Sequence, residues 1–203
     1  MTEKEKHTEE KIVEAAKTVF IEKGMQGARM QEIADQAGIN KSLLHYYFRS
    51  KEKLFDFIFN AVLGKIGSII MQIMSDELSI KHKVSAFVEG YSELLLKNPF
   101  LPNFIINEVT RNPETIINRF KKSNIEPKQF FSPLKKQLQE EGYHIEPVDF
   151  IVNLLSLVIF PIVAKPVIES QLFEKDSKAY KQFIEQRKMS VVNFIMAGLE
   201  AYR

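Results

Sequence analysis

The sequence predicts an all-α protein, with an N-terminal three-helix domain containing a helix-turn-helix, joined by a long helix to a larger C-terminal helical domain. Three observations predict it. Apolar residues recur at i, i+3, i+4 and i+7 along almost the whole chain, the spacing of one buried helical face. No stretch of alternating β-branched residues bounded by turns appears. Prolines sit at the joints, in Asn98-Pro99, Asn112-Pro113, Glu126-Pro127 and Glu146-Pro147, where a helix start tolerates the missing N–H.

The elements follow in order. Ile12, Ala15, Ala16, Val19 and Phe20 form one buried face of a first helix, and Gly24 supplies a left-handed stop. A short second helix runs from Met30 to Ala37, with Ile33, Ala34 and Ala37 inward and Gly38 to end it. Asn40 is placed to cap a third helix through Leu44, Tyr47 and Phe48. Two short helices joined by Gly38-Ile39-Asn40 make a helix-turn-helix. Ser50 caps a long fourth helix carrying Leu54, Phe55, Ile58, Phe59, Val62, Ile66, Ile69, Ile70 and Ile73. Further helices are expected over 80–97, 101–111, 113–122, 128–141, 147–168 and 180–202, with Pro161 and Pro166 kinking or ending the fifth of these. A domain boundary falls at 53/54, dividing residues 1–53, which hold the helix-turn-helix, from residues 54–203.

Composition narrows the function. With 203 residues and 45% apolar content the chain can bury a sizeable core. It has no cysteine, which removes disulfides, thiolate metal sites and thiol nucleophiles and fits a reducing, cytoplasmic compartment. His7, His45, His82 and His144 share no metal-ligand spacing, and neither a metal nor a cofactor is implied. The charged opening does not match a secretory signal, and the apolar run from Phe150 to Ala164 is too short for a bilayer, so no membrane partner is expected. No Gly-rich phosphate loop or nucleophile elbow is present, which argues against an enzyme. A net charge of only +2 means that any contact with nucleic acid must be local. The place is Lys41 to Lys53, where Lys41, Arg49, Lys51 and Lys53 face the single acid Glu52, although such a cluster alone also describes a solvated surface.

If Leu44 and Phe48 face a small core with Ile33, Ala34 and Ala37, then Lys41, Ser42, Leu43, His45 and Tyr46 lie on the outer or N-terminal side of the third helix. That side of a recognition helix reaches base edges in the major groove, and Leu43 could touch a thymine methyl. Tyr46 and Tyr47 can donate phenolic hydrogen bonds to phosphate, and Lys51 adds charge at a helix N-terminus. Core packing is the competing reading for the aromatic trio, and Phe48 is assigned to it.

The stretch from Met30 to Phe48, with its Ile-Ala-x-x-Ala-Gly-Ile turn, its Leu-x-x-x-Phe packing pair and the Lys-Glu-x-Leu opening of the fourth helix, resembles the DNA-binding domain of the TetR family of repressors over Lys11 to Leu54. The resemblance puts His45 where a DNA-contacting tyrosine is common, Tyr47 where a phosphate-contacting residue is common and Lys51 at the usual phosphate lysine. It adds Gln31 as a contact. Met30 departs from the usual threonine, and Ser42-Leu43 replaces a common Gly-Thr. The resemblance also implies a homodimer paired through the last two long helices, with Leu154, Leu157, Val158, Met189, Val192 and Met196 in the interface, reading a palindromic double-stranded operator at two sites roughly 34 Å apart. Burial of both helices within one subunit is the alternative. It further implies a small-molecule effector that releases DNA from the repressor, in a pocket to which Tyr91, Phe100, Phe104, Asn107, Glu108, Phe120, Phe131, Asn153 and Phe160 are assigned. A DNA-binding protein of the same fold that takes no ligand, acting constitutively or as an architectural factor, is the second function the sequence allows.

Overall fold

In the computed structural model, the backbone is described for residues 2–75, 78–98, 100–111, 113–114, 117–118 and 131–203; the side chains at 72–75, 100, 103–105, 108 and 111 are excluded. Every regular element among the described residues is helical: α1 Glu3–Gly27, α2 Met30–Ala37, α3 Lys41–Tyr47, α4 Lys51–Ser75, α5 Ile80–Lys97, α6 Phe100–Arg111, α7 Phe131–Glu140, α8 Pro147–Val163, α9 Lys165–Leu172 and α10 Ser177–Glu200. The helix expected over 113–122 lies largely outside the described residues. The chain forms two compact units, Met1–Lys65 with Pro99–Ser123, and Ile66–Asn98 with Asn124–Arg203.

In the first unit α1 packs on α2 and α6, and α2 on α3. Thr2 and Glu5 close a capping box at the start of α1. Gly24 breaks that helix in the left-handed region, at φ 69°, and one more turn follows before Ala28. At this break Asn107 on α6 donates from Nδ2 to the Ile21 carbonyl at 3.3 Å. The core joins Ile12, Ala16 and Phe20 of α1 to Ile33 and Ala34 of α2, Leu44 of α3, and Leu54, Phe55, Ile58 and Phe59 of α4. Alanines at 15, 16 and 34 let the backbones approach, and each large side chain withdrawn from water contributes roughly 1.5–3 kcal/mol. The segment Lys51–Met71 is long and apolar enough by composition to cross a membrane. Within it Leu54, Phe55, Ile58, Phe59, Val62 and Leu63 are buried inside the protein, while Phe57 and Met71 are exposed.

In the second unit α10 packs on α5 and α8, α5 on α8, and α8 also on α7 and α9. The carboxylate of Glu141, just beyond α7, accepts from the Ile80 amide at 2.8 Å and from Gln137 Nε2 at 2.9 Å, holding the N-terminus of α5. The helix expected over 147–168 is two. Pro161 is accommodated within α8, and the break comes at Ala164, where α9 leaves at a bend of 68° with Pro166 in its first turn. Pro161 has no N–H for the Leu157 carbonyl one turn back, and Arg187 of α10 supplies the donors, from Nε at 3.4 Å and Nη2 at 3.3 Å. The Tyr180 hydroxyl donates to the Pro161 carbonyl at 3.0 Å. Asp176 starts α10 earlier than the expected residue 180, because its carboxylate accepts from the amides of Lys178 and Ala179.

Tyr91 of α5 is 5% exposed and stacks on Phe87 at 5.1 Å. Burial pushes its hydroxyl up to about 12 from the ordinary 10.0. Between those values the folded protein keeps a proton that the unfolded chain has lost, so this contribution is complete below pH 10 and falls by about 1.4 kcal/mol per pH unit above it. Tyr91→Phe should therefore unfold less steeply than the wild type as pH rises from 10 to 12, a difference that denaturant titrations at each pH would measure. Equal slopes for the two proteins would contradict it.

Candidate nucleic-acid interface

The interface is built by what holds α3 in place. Gly38, at φ 67°, takes the left-handed conformation that ends α2; its amide donates to the Asp35 carbonyl at 3.1 Å and that of Ile39 to the Ala34 carbonyl at 3.0 Å. This paired closure is the reason for glycine here. Two residues later the Asn40 carboxamide accepts from the Leu43 amide at 2.8 Å and starts α3. Leu44 is the peg, fully buried among α1, α2 and α4. Phe48 follows at the C-terminal end, buried and edge-on to Phe57 of α4 at 5.3 Å between ring centroids. A helix of seven residues fixed at both ends extends about 10 Å, a length that suits a major groove about 12 Å wide.

The outward side of α3 carries the expected set. Lys41, Ser42, Leu43 and His45 are exposed, and Tyr46 is 73% exposed. His45 Nδ1 lies 3.2 Å from the Arg49 carbonyl. A carbonyl only accepts, so Nδ1 carries the proton and Nε2 is the nitrogen left for another partner. Tyr47 is half-buried against the core, its ring edge-on to Tyr46 at 5.5 Å. The two tyrosines thus divide as the short helix requires, one outward and one leaning inward.

Two further candidates have intramolecular partners. Gln31 donates from Nε2 to the Asp35 carboxylate at 2.7 Å along α2. Lys51 donates from Nζ to the Gln26 carbonyl at 3.1 Å, near the end of α1, so it fastens the first helix to the start of α4. An ammonium has three donors, and this bond leaves two. The Ser50 hydroxyl accepts from the Lys53 amide at 3.3 Å, capping α4. The neighbouring Glu52 carboxyl is held below the usual carboxylate range by its own amide and by the Ser50 hydroxyl. Arg49 and Lys53 are exposed beside the recognition helix and were visible in the sequence as part of the basic cluster, though not singled out as contacts.

The residues assigned to an effector pocket are described only in part. Phe104, Glu108 and Phe120, and the side chain of Phe100, lie outside the described residues. Asn107 is bonded to α1 in the first unit, Phe131 is half-buried at the start of α7, and Tyr91 is packed behind Phe87. Phe160 is 65% exposed, because Leu154, Val158 and Pro161 take the inward side of α8. Asn153 lines an open groove of 320 Å³ between α8 and α10 with Ser156, Phe194 and Gly198. The second unit also contains a half-open apolar pocket of 90 Å³ lined by Ile70, Ile80, Lys83, Val84, Phe87, Leu134, Phe150 and Leu154.

The pairing residues also divide. Leu154, Val158 and Val192 are buried in the unit's own core, Leu157 and Met196 are half-buried, and Met189 is 71% exposed. The outward faces of α8 and α10 carry Val148, Val152, Phe160 and Phe194 as well, with Phe194 67% exposed.

A helix-turn-helix whose second helix is pegged by one leucine and exposes a basic, hydroxyl-bearing face defines the class of sequence-reading DNA-binding proteins. Residues 12–58 match the family described as "Bacterial regulatory proteins, tetR family". The chain is 24% identical to the Probable HTH-type transcriptional regulator YttP of Bacillus subtilis (strain 168), over 94% of this chain and 95% of that protein. Other regulators, 29–36% identical, align over 33–41% of their own length. The fold is shared with the transcriptional regulator SCO4942 from Streptomyces coelicolor, at TM-score 0.59 and 20% identity over 93% of this chain and 96% of the other. It is shared too with FadR from Bacillus subtilis, solved in complex with stearoyl-CoA, at TM-score 0.60 and 14% identity over 90% and 96%. Residues 12–58 thus form a DNA-binding domain of the TetR type, and over its whole length the chain is similar in fold to transcriptional regulators.

Proposed function

We propose that this protein is a cytoplasmic repressor that binds a palindromic operator as a homodimer and releases it when a small molecule enters the C-terminal unit. The observation that carries the DNA-binding part is the division of α3, with Leu44 fully buried while Lys41, Ser42, Leu43, His45 and Tyr46 face solvent. Lys41, Ser42, Leu43 and His45 read base edges, while Tyr46, Tyr47, Lys51 and Gln31 fix register on the phosphates. Residues 1–53 carry the reading helices, whose core is completed by Leu54, Phe55, Ile58 and Phe59 of α4, and the second unit serves pairing and the effector. The exposed apolar faces of α8 and α10 support pairing, and the 90 Å³ cavity supports an effector site. That FadR, of the same fold, holds stearoyl-CoA supports a small-molecule ligand in this architecture. Because α4 contributes residues to both units, occupancy of the cavity, which Ile70 lines, biases the orientation of the reading head.

The test is selection of bound fragments from random DNA, followed by affinity measurements on the selected site over a range of salt. Lys51→Ala should weaken binding about equally across sequences and lower the salt slope by about one. Lys41→Ala should also relax preference at one base pair, by about 1–3 kcal/mol. Indifference of the purified protein to double-stranded DNA at low salt would overturn the proposal.

A further inference from the structure

We propose that the cavity of the C-terminal unit takes a small apolar carboxylate, its hydrocarbon tail inside and its charge paired with Lys83. This deepens the effector reading above and rests on it. Seven of the eight lining side chains are hydrocarbon, from Ile70, Ile80, Val84, Phe87, Leu134, Phe150 and Leu154, and the eighth is Lys83. Among the described residues, no acid lines the pocket.

Size limits the tail. An apolar cavity of about 150 Å³ stays dry and accepts benzene, so 90 Å³ accommodates roughly four carbon atoms. Charge then selects the head group. Lys83 is half-buried and takes part in none of the ion pairs formed among the described residues. The acid next to the pocket wall is Glu141, whose Oε1 accepts from the Ile80 amide and from Gln137 Nε2 and which forms no ion pair with Lys83. A ligand ammonium at this place would meet an uncompensated like charge, and a neutral head group would leave the lysine without a counter-ion. A carboxylate satisfies it, and partial burial makes the pairing stronger than at an open surface.

The experiment uses the full-length protein and calorimetric titration with valerate, 1-pentanol and pentylamine, three compounds that share a chain and differ in charge. Valerate should bind at millimolar concentration or tighter, pentanol at least about tenfold more weakly, and pentylamine not at all. Shortening the chain to butyrate should weaken binding roughly fourfold, the effect of one methylene. Lys83→Met keeps the apolar stem and should lose about tenfold for valerate while leaving pentanol unchanged. Leu154→Phe, filling the cavity, should abolish both. Failure of valerate to bind, or equal affinity in the wild type and Lys83→Met, would overturn the proposal; melting curves of both variants distinguish loss of binding from loss of fold. Operator binding is measured separately. Valerate that binds through Lys83 without releasing DNA would leave the ligand class standing and remove the effector role. Release by another compound, with valerate inert, would do the reverse.

Discussion

Phe55→Ala should cost the N-terminal unit about 3–5 kcal/mol and abolish operator binding at 37 °C, although Phe55 exposes no surface. Its ring stacks on Phe59 at 6.0 Å and meets Phe20 edge-on at 5.2 Å, so one side chain joins α4 to α1. Alanine removes both aromatic contacts and leaves a void beneath the helix-turn-helix, where α3 is held chiefly by Leu44 and Phe48. Small domains are stable by about 5–15 kcal/mol in total, so a loss of this size populates the unfolded head. Denaturant titration would give the free energy, and DNA titration at 10 °C and 37 °C would separate loss of fold from loss of contact. Tyr46→Ala provides the contrast. Its side chain is 73% exposed, so it should melt with the wild type and still bind DNA more weakly. If Phe55→Ala bound the operator as tightly as the wild type at 37 °C, the rigidity of the head would not be what presents α3.

Much of the reading head was legible because its signals are local. Gly38 needed a left-handed backbone, Asn40 needed an amide to cap, and Leu44 and Phe48 were spaced to face one side; the bounds of α2 and the start of α3 followed from these alone. In α5 the boundaries Ile80 and Lys97 were as expected, with Asn98-Pro99 marking the joint that follows, and the structure adds Ser79 as the N-terminal cap. The C-terminal unit was harder for a physical reason. Helix α8 is apolar nearly all round, so its period carries no information about which side is inward. Phe150 lines the pocket while Phe160 stands in solvent, and the nine residues between them hold nothing to tell one from the other. The break at Ala164 was misplaced because Pro161 has a remedy that only tertiary structure supplies, the guanidinium of Arg187 from α10. Lys83 was passed over for a similar reason. A lone lysine on a helix is ordinary until the hydrocarbon around its stem is known.

Phe194→Glu should turn the proposed dimer into a monomer, because the charge would be placed on a strongly exposed apolar part of the proposed pairing face. Phe194 borders the 320 Å³ groove between α8 and α10, beside Gly198, whose missing side chain leaves open space. In a two-fold pair the same patch meets itself, so one substitution places two carboxylates in the interface, each stripped of water and facing hydrocarbon. The subunit itself should survive, since its own core uses Leu154, Val158, Val192 and Ile195 rather than Phe194. Val192→Glu is the control. It puts the same charge into that core and should unfold the unit instead of separating two folded copies. Loss of pairing also removes the second recognition helix from the operator, and affinity for the full palindrome should drop by about 10²–10⁴ while that for a half-site stays level. Sedimentation equilibrium would measure the first effect and titration of full and half sites the second. A Phe194→Glu protein that remained dimeric would place the subunit contact on another face.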